Sequence, residues 1–227
     1  MIEAVRLGVV GRGGILWDGL DFTIGEGEVR LVTGPPSSGK SVLLKVLSAG
    51  LRPHAGEVLV GGRSLYRNGR AVAAAFRAET SVVAERFPAA EGRTVSDLFR
   101  LSALSASRLS AAEWKRREEE LLALVGLPSA GPWGLATLST SERARVALAV
   151  ELLHGPRYLF ADGLLGNAGG EWEDILAGLF RALAREGKTV VAMERVPPPR
   201  LAPAALTGVD VGPFRFYRCE TGGAVPR

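Results

Sequence analysis

The sequence has a single cysteine, Cys219, and only two histidines, His54 and His154. One thiol cannot close an internal disulfide, and the histidines have no partner spacing for a metal site, so both are expected at the surface. Aromatic residues are sparse at 7%, and Trp17, Trp114, Trp133 and Trp172 lie too far apart in the chain to form a stacking platform. They are expected to pack in the core or between subdomains. No apolar run reaches the roughly 18–20 residues needed to cross a bilayer. Met1–Gly11 has a strand-like pattern rather than that of a basic, then apolar, then small-residue leader. These absences predict a cytoplasmic chain that meets a membrane only through another protein.

What is present suits an ordinary globule. The 227 residues are 47% hydrophobic, enough for a full core in one domain spanning 1–227. The net charge is +4, with Arg63, Arg67, Arg70 and Arg77 clustered. Acidic residues are interleaved nearly everywhere, which favours a solvated surface over a nucleic-acid or lipid face. Lys115-Arg116-Arg117-Glu118-Glu119-Glu120 has the spacing for i,i+4 pairs on an exposed helix face.

Periodicity predicts an antiparallel start, with strands Glu3–Val10, Gly19–Ile24 and Glu28–Thr33, the last two joined by Gly25-Glu26-Gly27. A helix is expected from Lys40 to Leu51, then strands Gly56–Val60 and Thr80–Ala84. From Thr94 to Leu127 the period turns helical, with Leu98, Leu101 and Leu104 on one helix and Trp114, Leu121, Leu122 and Val125 on the next. A helix over Ser141–His154 feeds the strand Tyr158–Ala161, which ends at Asp162. A helix over Glu173–Arg185, the strand Thr189–Met193 and the proline-dense loop Val196–Pro203 follow. Strands alternating with helices at this spacing predict an α/β domain.

The sharpest signal is Gly34-Pro35-Pro36-Ser37-Ser38-Gly39-Lys40-Ser41 between a predicted strand and a predicted helix. It fits the P-loop, in which backbone N–H groups wrap phosphates at a helix N-terminus, a lysine reaches the β- and γ-phosphates and a hydroxyl ligates magnesium. The nucleotide contacts expected are Gly34, Ser37, Ser38, Gly39, Lys40, Ser41 and Val42. Asp162, at the end of an apolar strand, can hold the magnesium from the other side.

With these pieces in place, the chain resembles the ABC (ATP-binding-cassette) ATPase family along nearly its whole length. Gly34–Ser41 is similar to that family's Walker A, and Tyr158–Asp162 to its Walker B. Leu138-Ser139-Thr140-Ser141-Glu142 is similar to its signature motif, and Gly56–Gly62 and Thr94-Val95 also fall where the family has similar residues. The resemblance implies a P-loop NTPase with a RecA-like core, an antiparallel β-subdomain and an inserted helical subdomain over about 86–150. It also implies ATP and Mg²⁺ as ligands, and head-to-tail pairing with a copy of itself or another ABC subunit. Membrane-spanning transporter subunits would be its partners.

Departures from the family fall on chemically defined positions. The general-base glutamate is replaced by Gly163, which has no group to accept a proton. The Q-loop glutamine aligns with Glu85, a carboxylate still able to ligate magnesium alongside Ser41 and Asp162. The switch histidine aligns with Arg195, or with Glu194 in the adjacent register. Thr140 and Ser141 replace two signature glycines, Val9 or Val10 falls where an aromatic would stack on adenine, and Gly166-Asn167 departs from the usual aspartate-ended loop. Both the catalytic and the signature lesions lie in one chain, which implies slow or absent turnover. Glu194, Glu171 or Glu173 could supply the missing base, and Glu85 with Arg195 could form a charge pair across the γ-phosphate pocket. A non-hydrolysing regulatory role and a soluble cassette acting on nucleic acid or ribosomes are the competing functions. The latter usually brings a second cassette or a long extension.

Overall fold

The computed structural model describes residues 1–11, 13–67, 70–83, 92–103, 110–164, 170–200 and 208–219. The chain opens with β1 (Ile2–Gly11) and β2 (Gly14–Ile24), an antiparallel pair, and then β3 (Val29–Thr33) and α1 (Lys40–Leu47). Strands β4 (Ala55–Val60) and β5 (Arg63–Ser64) complete a four-stranded antiparallel sheet of order β2-β1-β4-β5. Helix α2 (Arg70–Ala78) and β6 (Thr80–Val83) lead to α3 (Val95–Ala103), α4 (Ala111–Leu124) and α5 (Thr140–Leu152). The remaining elements are β7 (Tyr158–Asp162), α6 (Gly170–Arg185), β8 (Thr189–Glu194), β9 (Val209–Val211) and β10 (Phe214–Cys219).

A second sheet has the order β6-β7-β8-β3-β10-β9. Strands β6, β7, β8 and β3 run parallel, and β10 closes on β3 antiparallel. Parallel strands are covered on both faces, so each reads as an unbroken apolar run rather than an alternation. Every residue of β8 is buried. Phe160, Val191 and Met193 face the cluster that contains Leu43, Leu44 and Leu47 of α1. Leu159, Ala161, Val190 and Ala192 face the opposite cluster, with Leu148 of α5 and Leu176 and Phe180 of α6.

Several boundaries differ from expectation for local reasons. Helix α1 stops at Leu47, because Ala49 turns left-handed at φ 59° and Leu51 is exposed. Strand β2 begins at Gly14, where the hairpin with β1 carries register shifts that blur its alternation. On α3 the buried residues are Val95 and Phe99, while Leu101 is exposed and Leu104 lies outside the described residues. Helix α2 and strands β5, β9 and β10 were not anticipated.

Trp17 and Trp172 are buried as expected, Trp114 is partly buried, and Trp133 is exposed. Both histidines are exposed, and Cys219 is free and buried. Lys115 pairs with Glu119, and Arg116 with Glu120, on the exposed face of α4.

Candidate functional site

The site starts where β3 hands over to α1. The loop Gly34–Gly39 needs backbone conformations that bulky residues avoid, with Ser37 at φ 61° and Gly39 at φ 92°. A Cβ on Gly39 would lie 2.5 Å from Leu16 Cδ2 and 2.7 Å from Trp17 Nε1, so glycine is required by space as well as by φ. The Ser38 N–H donates to Pro35 O at 3.2 Å, and Leu43 N–H to Gly39 O at 2.8 Å, which joins the loop to the first turn of α1.

Lys40 folds back over this loop, its ammonium donating to Gly34 O at 2.6 Å and to Pro35 O at 2.9 Å. Partial burial holds its pKa below the ordinary lysine range; Asp162 and Glu194 oppose that shift and Arg195 adds to it. The Ser38 hydroxyl is buried without a partner. A buried orphan hydroxyl is costly and uncommon, so its place in this loop is informative.

Opposite the loop stand the C-terminal ends of β7 and β8. Asp162 ends β7 in register with Met193, and the Gly163 N–H donates to Met193 O at 2.9 Å. Strand β8 ends on Glu194, whose exposure is 3%, and Arg195 follows as the first residue beyond it, exposed. Between the two walls lies a cavity of about 550 Å³. Leu16, Pro36, Ser37, Gly39, Lys40, Ser41 and Val42 line one side, and Asp162, Gly163, Met193, Glu194 and Arg195 the other.

Most of the expected nucleotide contacts therefore converge. Ser37, Gly39, Lys40, Ser41 and Val42 reach the cavity together with Asp162, Gly163 and Arg195, while Gly34 and Ser38 sit in the loop behind it. Glu85 and Gly166-Asn167 lie outside the described residues.

Neither Val9 nor Val10 lines the cavity; Val9 is buried within the β1–β2–β4 sheet, and the hairpin presents Leu16 instead. Register shifts between Leu7, Val9 and Val10 interrupt the alternation of β1, and Val10 is exposed while Val9 is buried. Glu171 is exposed, and Glu173 accepts a hydrogen bond from the Arg200 N–H at 2.6 Å, so neither enters the cavity. Glu194 and Met193, which do, were missing from the expected nucleotide contacts.

The signature-like segment lies on a different surface. Ser139 caps α5, accepting from the Glu142 N–H at 3.2 Å, while the Ser139 N–H donates to the Glu142 carboxylate at 2.7 Å. Hydrogen bonds to the carboxylate from the Ser139 hydroxyl and the Ser139 N–H hold the Glu142 carboxyl below its usual range. Arg143 donates to Leu138 O at 2.9 Å, and none of Leu138–Glu142 lines the cavity.

A protein-family profile described as ABC transporter matches residues 17–164, a stretch containing the P-loop, the Ser139 cap and Asp162. The chain belongs to the ABC transporter family of ATP-binding proteins. An uncharacterized ABC transporter ATP-binding protein of Thermotoga maritima is 34% identical over 176 residues, covering 77% of this chain and 75% of that protein. An Fe(3+) ions import ATP-binding protein, FbpC, of Streptomyces avermitilis is 37% identical over 200 residues. That match covers 85% of this chain and 55% of FbpC, a little over half its length.

Among solved structures, the dimeric bacterial ABC transporter cassette MJ0796 superposes with a TM-score of 0.76 at 23% identity. The superposition covers 86% of this chain and 88% of that one, and it shows the P-loop NTPase fold of the ABC cassettes. Among the described residues, no helix of this ABC protein is long and apolar enough to cross a membrane.

Proposed function

We propose that this chain is the ATP-binding subunit of a membrane transporter, holding Mg-ATP between two cassettes and hydrolysing it slowly. The observation that carries the reading is the cavity itself, a P-loop with Lys40 and Ser41 facing Asp162 across a space of about 550 Å³. That volume falls within the range of ordinary small-molecule sites.

The residues fit the ligand. Backbone N–H groups of the loop and the Lys40 ammonium suit phosphate oxygens, and the orphan Ser38 hydroxyl is a polar group short of a partner. Ser41 and Asp162 supply oxygen ligands of the kind magnesium takes, with Glu85 as the proposed third.

Slow turnover follows from Gly163. With no side chain there, a base positioned at that point is lost, a change worth on the order of 10²- to 10⁴-fold in rate. Thr140, exposed, and Ser141, half-buried, at the start of α5, would crowd a partner's phosphates where glycines would admit them.

Residues 86–150 would form the helical subdomain that carries this segment to the second cassette, a copy of this chain or another ABC subunit. Import and export both fit. A non-hydrolysing regulatory role is the second reading, favoured by the same Gly163.

Partner identification separates the two readings. The tagged chain, purified from its own cells in mild detergent, is expected to bring a multi-spanning membrane protein in fixed stoichiometry. Soluble partners alone would favour the regulatory role.

A further inference from the structure

We infer that Glu194 is the general base for the hydrolysis that remains, its carboxylate displaced by one strand from the place Gly163 leaves empty. The inference rests on the reading that the cavity binds Mg-ATP.

Its basis is register. Strands β7 and β8 pair in parallel as far as Asp162 opposite Met193, and Gly163 and Glu194 are the next residues on the two chain segments. The Gly163 N–H donates to Met193 O at 2.9 Å, which ties the two strand ends together. Side chains alternate along a strand, and Ala161 and Ala192 both face the α5–α6 cluster while Phe160 and Met193 face α1. Gly163 turns out of β7 at φ 69° just after the Asp162–Met193 pair, and both it and Glu194 line the cavity.

Burial points the same way. Glu194 is 3% exposed and lines the cavity, whereas Glu171 and Glu173 do not reach it. A carboxylate is costly to bury unless something there uses or compensates it. Lys40, which lines the same cavity, is electrostatically coupled to Glu194.

In the step assigned to it, Glu194 accepts a proton from the attacking water as the water oxygen bonds to the γ-phosphorus. The bond from that phosphorus to the β,γ-bridging oxygen breaks, ADP leaves with the electron pair, and the proton departs with the phosphate product.

The test uses the full chain, measuring Mg-ATP binding with a fluorescent ATP analogue and steady-state phosphate release in parallel. Glu194→Gln keeps size and polarity and removes the base. Its kcat is expected to fall about 100-fold or more while the dissociation constant moves less than about twofold, and Glu194→Asp should retain an intermediate rate. A kcat unchanged in Glu194→Gln overturns the inference. So does a loss of affinity that accounts for the whole loss of activity, since that is what a mere charge partner of Lys40 would produce. Wild-type chain that binds Mg-ATP without measurable turnover also overturns it, leaving the nucleotide reading intact. Wild-type chain that fails to bind Mg-ATP removes the reading itself.

Discussion

The two walls of the cavity are built differently. On the β3–α1 side the work is done largely by backbone: Ser37 and Gly39 turn left-handed, and Gly39 has no room for a Cβ. On the β7–β8 side it is done by single side chains at strand ends, namely Asp162, Glu194 and Arg195, with nothing at Gly163. A backbone wall depends on spacing, so a change at one residue is felt along the whole loop. A side-chain wall can exchange one group for another while the sheet beneath stays the same. On the function proposed above, nucleotide binding would draw on both walls, through Lys40 and Arg195, whereas splitting would draw on the β7–β8 side.

That division can be broken first at its structural base. Met193 is fully buried under the side-chain wall, and Met193→Ala is expected to destabilise the fold by about 2–5 kcal/mol. Denaturant unfolding measures this; a loss below about 1 kcal/mol would mean that β8 is not the rigid floor of the site.

Gly39→Ala attacks the backbone wall, with a local strain of about 1–3 kcal/mol and a collision with Leu16 and Trp17. Nucleotide affinity should drop far more than unfolding stability does, as titration and melting of the same variant would reveal. Equal losses would mean that the loop is merely structural.

Arg195→Ala is the smallest change. As an exposed substitution it should alter stability by about 0.5 kcal/mol or less, while removal of a charged contact to phosphate weakens ATP by about 1.5–3 kcal/mol. Unaltered affinity would place Arg195 outside the bound nucleotide's reach.

The backbone wall was legible in the sequence because glycine spacing, lysine and hydroxyl have fixed offsets in a P-loop, and all of it lies within one short segment. The side-chain wall was legible only in part. Asp162 stood out at the end of an apolar run, but the last strand was expected to stop at Met193, because a charged residue normally marks a strand end. Glu194 continues β8 and is buried. Its surroundings come from Lys40, more than a hundred residues earlier, and no local pattern carries that.

Bulges in β1 interrupt its alternation, so which of Val9 and Val10 faces outward could not be read from the chain; the fold buries Val9 and exposes Val10. Strand β10 was missed because its partner is β3, with Arg215 opposite Thr33, a pairing set by topology rather than by neighbours. Helix α5 was expected over Ser141–His154 and runs Thr140–Leu152, its start fixed by the Ser139–Glu142 cap.

The most direct measurement is equilibrium binding of Mg-ATP to the full chain and to its Lys40→Ala variant, by calorimetry at fixed salt. If the cavity is a nucleotide site, the wild-type chain binds saturably and the variant loses about 3 kcal/mol or more, the upper end for hydrogen bonds to a charged group. Unchanged binding by Lys40→Ala, or none by the wild type, would contradict the account at its centre.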